Sequence, residues 1–239
     1  MPKNNQVTVF STFAKDKLID KNRKIIREQK GGPALYITSV LDRENINFNL
    51  VTAPLLRVEI LIKDGEEFGR IKQKNKSKEI NFSTISTPFI FISTILNDFN
   101  LKGIGSFKGK IFLDIQGYVR NGNDFGKKKR WKPAKEISSS IFCLKGNERE
   151  INYLPSSFIR KQKQKILLVT RGKKGCEIWV NGIKKVIKPS KLIRNIKNAI
   201  GAGDSFFTYF IAKFLKTNNS VISAKYAIVK TSEFLSVNN

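Results

Sequence analysis

NAIGAGDSFFTYF, Asn198 to Phe210, is the stretch on which the reading of this chain turns. Two glycines and a carboxylate stand directly before a strongly apolar run. Phe207, Phe210, Ile211 and Phe214 follow the i, i+3, i+4, i+7 spacing of one helical face, which predicts a buried helix. Gly201, Ala202 and Gly203 then form the turn into its N-terminus. A helix start presents unpaired N–H groups and the positive end of the dipole. Glycines there let a phosphate approach the backbone without a side chain in the way. Asp204 has two readings. As a helix cap it is an ordinary choice, but capping does not explain two side-chain-free positions beside it. A phosphoryl-transfer site uses both features: amides stabilise the transferring group, and the carboxylate takes the proton of the attacking hydroxyl.

Composition narrows the chemistry. The chain has 239 residues, 40% of them hydrophobic, with 18 Phe. That suffices for one sizeable core, since chains of this length bury roughly 70–75% of their unfolded surface. We expect one main domain over residues 1–239. Histidine is absent, which excludes Ser-His-Asp and Cys-His arrangements and removes the commonest metal ligand. The two cysteines, Cys143 and Cys176, cannot complete a structural zinc site and read as buried free thiols. No Gly-x-x-x-x-Gly-Lys-Ser/Thr occurs, so this is not a P-loop enzyme. No uncharged apolar run is long enough for a membrane span, and MPKNNQVTVFSTFAKD does not read as a signal peptide. A cytoplasmic protein with no membrane partner is expected. The net charge of +26 raises nucleic acid as a partner. The lysines are spread along the whole chain, however, and the densest run, GKKKRWKP (Gly126–Pro133), reads first as a solvated loop. A non-catalytic scaffold that binds nucleic acid or another polyanion is the alternative to an enzyme, and the intact glycine-aspartate turn argues against it.

Short apolar runs recur along the chain: Val7–Ser11, Pro88–Thr94, Lys110–Gly117, Ser140–Asn147 and Lys165–Gly172. Their hydrophobicity is continuous rather than alternating, which suggests strands covered on both faces. The connections are long enough for crossovers. The expected fold is therefore α/β, with a doubly wound, mostly parallel central sheet. LLRVEILIK, then Asp64-Gly65, then EEFGRIKQK reads as a hairpin set apart from that sheet. Ligands in open α/β sheets bind beyond the carboxyl ends of the strands. Those ends carry Ser11 to Asp16, Ser93 and Thr94, Asp114 and Gln116, Asn147 and Glu150, and Thr170 and Gly172.

Asn198–Phe210 resembles the C-terminal signature of the ribokinase-like (PfkB) carbohydrate kinases, in which a Gly-Ala-Gly-Asp turn holds the anion hole and the catalytic Asp. Further segments are similar to that family in the expected order: GGPALYITSVL (Gly31–Leu41), FLDIQGYVR (Phe112–Arg120), KGNERE (Lys145–Glu150) and LLVTRGKKG (Leu167–Gly175). The resemblance implies a kinase that moves the γ-phosphoryl group of ATP to a hydroxyl of a sugar, cyclitol or nucleoside. It implies Asp204 as the base and Gly201, Ala202 and Gly203 as anion-hole amides. Asn147 and Glu150 would organise Mg²⁺ through its waters. Thr170, Gly172 and Gly175 would border the nucleotide. Gly31, Gly32, Asp16, Gln116 and Arg120 would meet the acceptor, the last two with a claim on phosphate as well. The resemblance leaves open a monovalent-ion requirement and the choice between monomer and homodimer. It also implies that residues 42–82 form a shortened β lid, because no Gly-x-Asp turn follows the diglycine between Arg43 and Ile60. Plain alternatives stand beside several roles: Asn147 and Glu150 are spaced as a capping box, and Gly31-Gly32 as a turn.

Overall fold

The computed structural model describes residues 6–19, 24–63, 66–71, 75–189 and 199–237. The five apolar runs become neighbouring strands of one sheet: β1 (Val7–Ser11), β8 (Phe89–Ser93), β10 (Lys110–Asp114), β11 (Ile141–Asn147) and β12 (Ile166–Thr170). Across the sheet the order is β14-β13-β12-β11-β10-β8-β1-β4, where β4 is Phe48–Thr52, β13 Cys176–Val180 and β14 Ile183–Ile187. The strands from β4 to β12 are parallel and the β13–β14 hairpin closes the edge antiparallel. This is the mostly parallel α/β sheet expected from the continuous hydrophobic runs.

Helices cover both faces, which is why those runs show no alternation. On one face Val7, Val9, Phe91, Phe112 and Leu168 pack with α1 (Pro33–Arg43), α6 (Ala202–Thr217) and α7 (Ser220–Val237). On the other, Phe10, Ile90, Ile92, Leu113 and Leu167 pack with Phe82, Ile104 and Leu154, and with Phe158 of α5 (Ser156–Lys163). Successive strand residues thus alternate between two buried layers rather than between core and water. The connection from β10 to β11 carries α2 (Gln116–Val119) and α3 (Lys135–Ser140), and that from β11 to β12 carries α4 (Glu148–Ile151) before α5.

A second sheet stands over the carboxyl ends of the central strands. Its order is β3-β2-β5-β6, from β2 (Ala14–Ile19), β3 (Ile25–Gly31), β5 (Leu56–Lys63) and β6 (Glu66–Ile71). Ala14, Leu56, Val58, Ile60 and Ile71 turn inward onto Ile95, Phe125 and Ile200. The small lid expected over 42–82 is corrected here. Half of this sheet comes from residues before the diglycine, while Phe48–Thr52 belongs to the large sheet beside β1. The error has a physical origin: β2 and β3 are rich in charged residues of both signs, and an antiparallel pair with one solvated face gives a weak apolar signal. The β5–β6 hairpin forms, with Lys63 opposite Glu66, and its Asp64-Gly65 turn lies outside the described residues, as does Asn198. The remaining pair, β7 (Lys78–Glu79) and β9 (Phe99–Asn100), is short and parallel.

GKKKRWKP is half solvated, as expected for Lys127, Lys129 and Arg130. Trp131, though, turns inward: it stacks on Tyr118 at 4.8 Å between ring centroids and meets Phe158 edge-on at 6.1 Å. Its ring is half-buried and packs against the core. Cys143 and Cys176 are free and buried, and burial pushes both thiols up. Among the described residues, no helix is long and apolar enough to cross a membrane.

Candidate active site

A cavity of about 80 Å³ opens between the small sheet and the strand ends. Seven residues singled out in the sequence line it: Asp16, Gly32, Gln116, Arg120, Gly201, Gly203 and Asp204. They come from four separate stretches of chain, and the two sheets bring them together. Gly31 sits just outside. A Cβ there would overlap the Asp16 carboxylate, so Gly31 holds Asp16 at the cavity wall from behind. Arg120 lies with its guanidinium 4.3 Å from the centre of the Phe125 ring. The apolar wall, Val58, Ile60, Ile95, Phe125 and Ile200, carries no signal in the sequence. An inward-facing position on a two-sided strand looks in sequence like any other core residue.

Asp204 is not the cap of α6. The helix begins at Ala202, the cap position is Gly201, and no side chain caps it. Asp204 sits in the first turn and is 8% exposed. Its Oδ1 accepts a hydrogen bond from Ser93 Oγ at 3.0 Å, and Ser11 Oγ in turn donates to the Ser93 carbonyl at 2.7 Å. Ser11 and Ser93 are register partners at the ends of β1 and β8, so the sheet itself aims the carboxylate. A negative charge at this end of a helix is also favoured by the dipole.

The two glycines of the turn have separate structural causes. Gly201 has φ +78°, and a Cβ on it would overlap the ring of Tyr36 from α1, which in turn meets Phe234 of α7 edge-on. At Gly203 a Cβ would lie 3.1 Å from Lys145 Nζ. Tyr36 also lines the cavity. Neither Tyr36 nor Lys145 was marked in the sequence; both lie inside recognisable segments, GGPALY and KGNERE, and only their contacts with the turn set them apart.

Lys145, near the end of β11, is 2% exposed and pairs with Asp114 of β10 at 2.7 Å. Burial opposes its charge, but Asp114, Glu150 and Asp204 outweigh burial and hold its pKa above the ordinary lysine value. Glu150 is pushed up by burial and by Asp114, with Lys145 acting against both. Glu150 and Asp204 thus act on the ammonium through their charge, beside its direct pair with Asp114.

Asn147 and Glu150 do form the capping box their spacing allows. Asn147 Oδ1 accepts from the Glu150 N–H at 2.8 Å and Glu150 Oε2 accepts from the Asn147 N–H at 2.8 Å. Each capping contact uses one oxygen of its side chain. Among the described residues there is no group of three His, Cys, Asp or Glu that would hold a metal directly. Asn147 Oδ1 and the Glu150 carboxylate are hard oxygens that could accept hydrogen bonds from the waters of a hydrated divalent cation. Thr170, Gly172 and Gly175 lie apart from the cavity, at the end of β12 and in the turn to β13. There Arg171 bridges Glu148 at 2.6 Å and Glu177 at 2.7 Å. Ala202 follows the cap and does not line the cavity.

Comparison with known proteins agrees with this architecture. A pyrophosphate-dependent kinase in the ribokinase family, complexed with a pyrophosphate analog and myo-inositol, superposes with a TM-score of 0.72 at 16% identity, over 96% of this chain and 95% of that one. The nucleoside kinase of Methanocaldococcus jannaschii gives 0.71 at 16% identity, over 97% of this chain and 92% of that one. Arabidopsis thaliana ribokinase, complexed with ribose and ATP, gives 0.70 at 14% identity, over 98% and 94%. No curated protein matches the chain by sequence. Residues 125–229, which hold the glycine-aspartate turn, match the pfkB family carbohydrate kinases, and the chain as a whole has the ribokinase fold.

Proposed function

We propose that the protein is a kinase that transfers the γ-phosphoryl group of ATP to a hydroxyl of a sugar, cyclitol or nucleoside. The observation that carries this reading is the placing of Asp204. It lies in the first turn of α6, held by Ser93, and lines the same cavity as Asp16. A bound acceptor would direct one hydroxyl at Asp204 and others at Asp16 and Gln116, with its apolar ring face against Ile60, Ile95 and Phe125. Asp204 accepts the proton as the bond to phosphorus forms. Because the alcohol becomes acidic only late in the transfer, a carboxylate of ordinary basicity serves. The amides of Gly201 and Gly203 at the start of α6 stabilise negative charge on the transferring group, while that of Ala202 is taken by the Ala199 carbonyl at 3.1 Å. Asn147 and Glu150 would hold Mg²⁺ through its waters; when bound, the ion neutralises charge on the donor phosphates. Thr170, Gly172 and Gly175 would border the nucleotide.

The test is ATP consumption with Mg²⁺ against a panel of sugars, cyclitols and nucleosides, for the wild type beside Asp204→Asn. A positioned base contributes typically about 10²–10⁴-fold, so turnover on the preferred acceptor should fall by that much in the variant. If Asp204→Asn retains most of the activity, the mechanism is wrong.

A further inference from the structure

We infer that the outer face of the small sheet holds a binding site for a small molecule carrying two or more phosphate groups, built on Lys15, Lys30 and Arg57. The site lies on the opposite face of the sheet from the acceptor cavity, and its binding does not depend on the kinase reading.

The strand registers build it. Ala14, Leu56 and Val58 turn inward, so their chain neighbours Lys15 and Arg57 turn out. Lys15 stands directly opposite Lys30 of β3 on one side and Arg57 of β5 on the other, and all three are exposed. Three cations thus form one row across three strands. Like charges directly opposite in an antiparallel pair, as Lys15 and Lys30 are, destabilise a sheet. The row therefore costs the fold stability rather than supplying it. The next row has the reverse design: Glu28, Lys17, Glu59 and Arg70 alternate in sign. Lys15 and Lys17 share one carboxylate, that of Glu28, at 2.7 and 3.0 Å, while Arg70 pairs with Glu59 at 2.8 Å. Among the described residues, Lys30 and Arg57 pair with no carboxylate. The sheet is concave here: a cavity of about 420 Å³, within the size range of small-molecule sites, is lined by Lys15, Lys17, Arg57, Val58 and Glu59.

Charge complementarity selects an anion, and the layout selects a compact one. Neighbouring strands lie about 4.8 Å apart, so the row is only about 10 Å long, and Glu28 and Glu59 bound it on one side. That is too short to follow a nucleic-acid backbone over the roughly 4–16 nucleotides of a single-strand groove. A second copy of the chain, at a net charge of +26, would set one cationic face against another. Arg57 offers a planar fork to one phosphate, and the ammoniums of Lys15 and Lys30 act as point charges on the next.

The test uses the full chain, with inorganic tripolyphosphate as the probe. Lysine acetylation read by mass spectrometry should show Lys15 and Lys30 protected by the probe, with the exposed Lys161 and Lys225 as reactive as before. Tripolyphosphate taken up at the start of α6 would leave Lys15 and Lys30 reactive, so the footprint separates the two sites. The concentration that half-protects Lys30 should rise about tenfold in Lys15→Gln/Arg57→Gln, the loss of two exposed charge contacts at the upper end of the surface range. It should not move in Lys161→Gln/Lys225→Gln. Equal protection of all four lysines would show only diffuse attraction to a cationic chain and overturn the inference, as would no protection at all. Protection by a single-stranded oligonucleotide but not by tripolyphosphate would give the face to nucleic acid. A wild-type dimer that Lys15→Gln/Arg57→Gln dissociates would give it to a second copy. Either of these results overturns the inference as well.

Discussion

Gly201→Ala separates a backbone cost from a packing cost at the turn before α6. Gly201 has φ +78°, a conformation that costs an L residue about 1–2 kcal/mol. The added Cβ would also overlap the Tyr36 ring, forcing it off its edge-on contact with Phe234 at 6.1 Å. Aromatic contacts of this kind contribute about 0.5–1.5 kcal/mol beyond area burial. The sum is about 1.5–3.5 kcal/mol, and for a chain of this size each kcal/mol moves Tm by roughly 2–4 °C. Calorimetry should therefore show Gly201→Ala melting roughly 3–14 °C below wild type. Tyr36→Ala removes the obstacle, so in that background Gly201→Ala should cost only the backbone share, about 1–2 kcal/mol. Wild-type stability in Gly201→Ala would refute the reasoning outright. A cost undiminished in the Tyr36→Ala background would refute the packing share and leave the dihedral alone responsible.

Two further variants test the frame around the site. Burial raises the Asp98 pKa, against the opposing hydrogen bond from Thr12 at 2.7 Å. The native state then binds its proton more tightly than the unfolded chain, so Asp98 withdraws stability as pH rises from near its unfolded value through its raised folded one. Asp98→Asn, which keeps an acceptor for Thr12, should lose less stability than wild type as pH rises above about 4 in urea titrations; parallel curves would count against the burial argument. Trp131→Ala should cost about 3 kcal/mol through lost contacts with Tyr118 and Phe158. The same change should leave any nucleic-acid affinity at fixed salt untouched, and a loss of about 1–3 kcal/mol in binding would show that the indole stacks on a base.

The sequence determined the central sheet, the helix after the turn and the order of the motifs. Continuous apolar runs require cover on both faces, and the 3.6-residue period of Phe207, Phe210, Ile211 and Phe214 admits no strand. Those are local properties, carried by neighbours in the chain. It also set out both readings of Asp204 and of the Asn147–Glu150 pair without choosing between them. Tertiary structure chose: α6 begins at Ala202 with Gly201 at its cap and Ser93, 111 residues away, hydrogen-bonds Asp204, whereas Asn147 and Glu150 do cap α4. It likewise drew the small sheet from both sides of the diglycine, paired Lys145 with Asp114 across two strands, and laid Tyr36 on Gly201. Each of these depends on which strand lies beside which and on the side chain that reaches across. A parallel sheet joins strands separated by dozens of residues, so the contacts that make the site carry no pattern in the linear sequence.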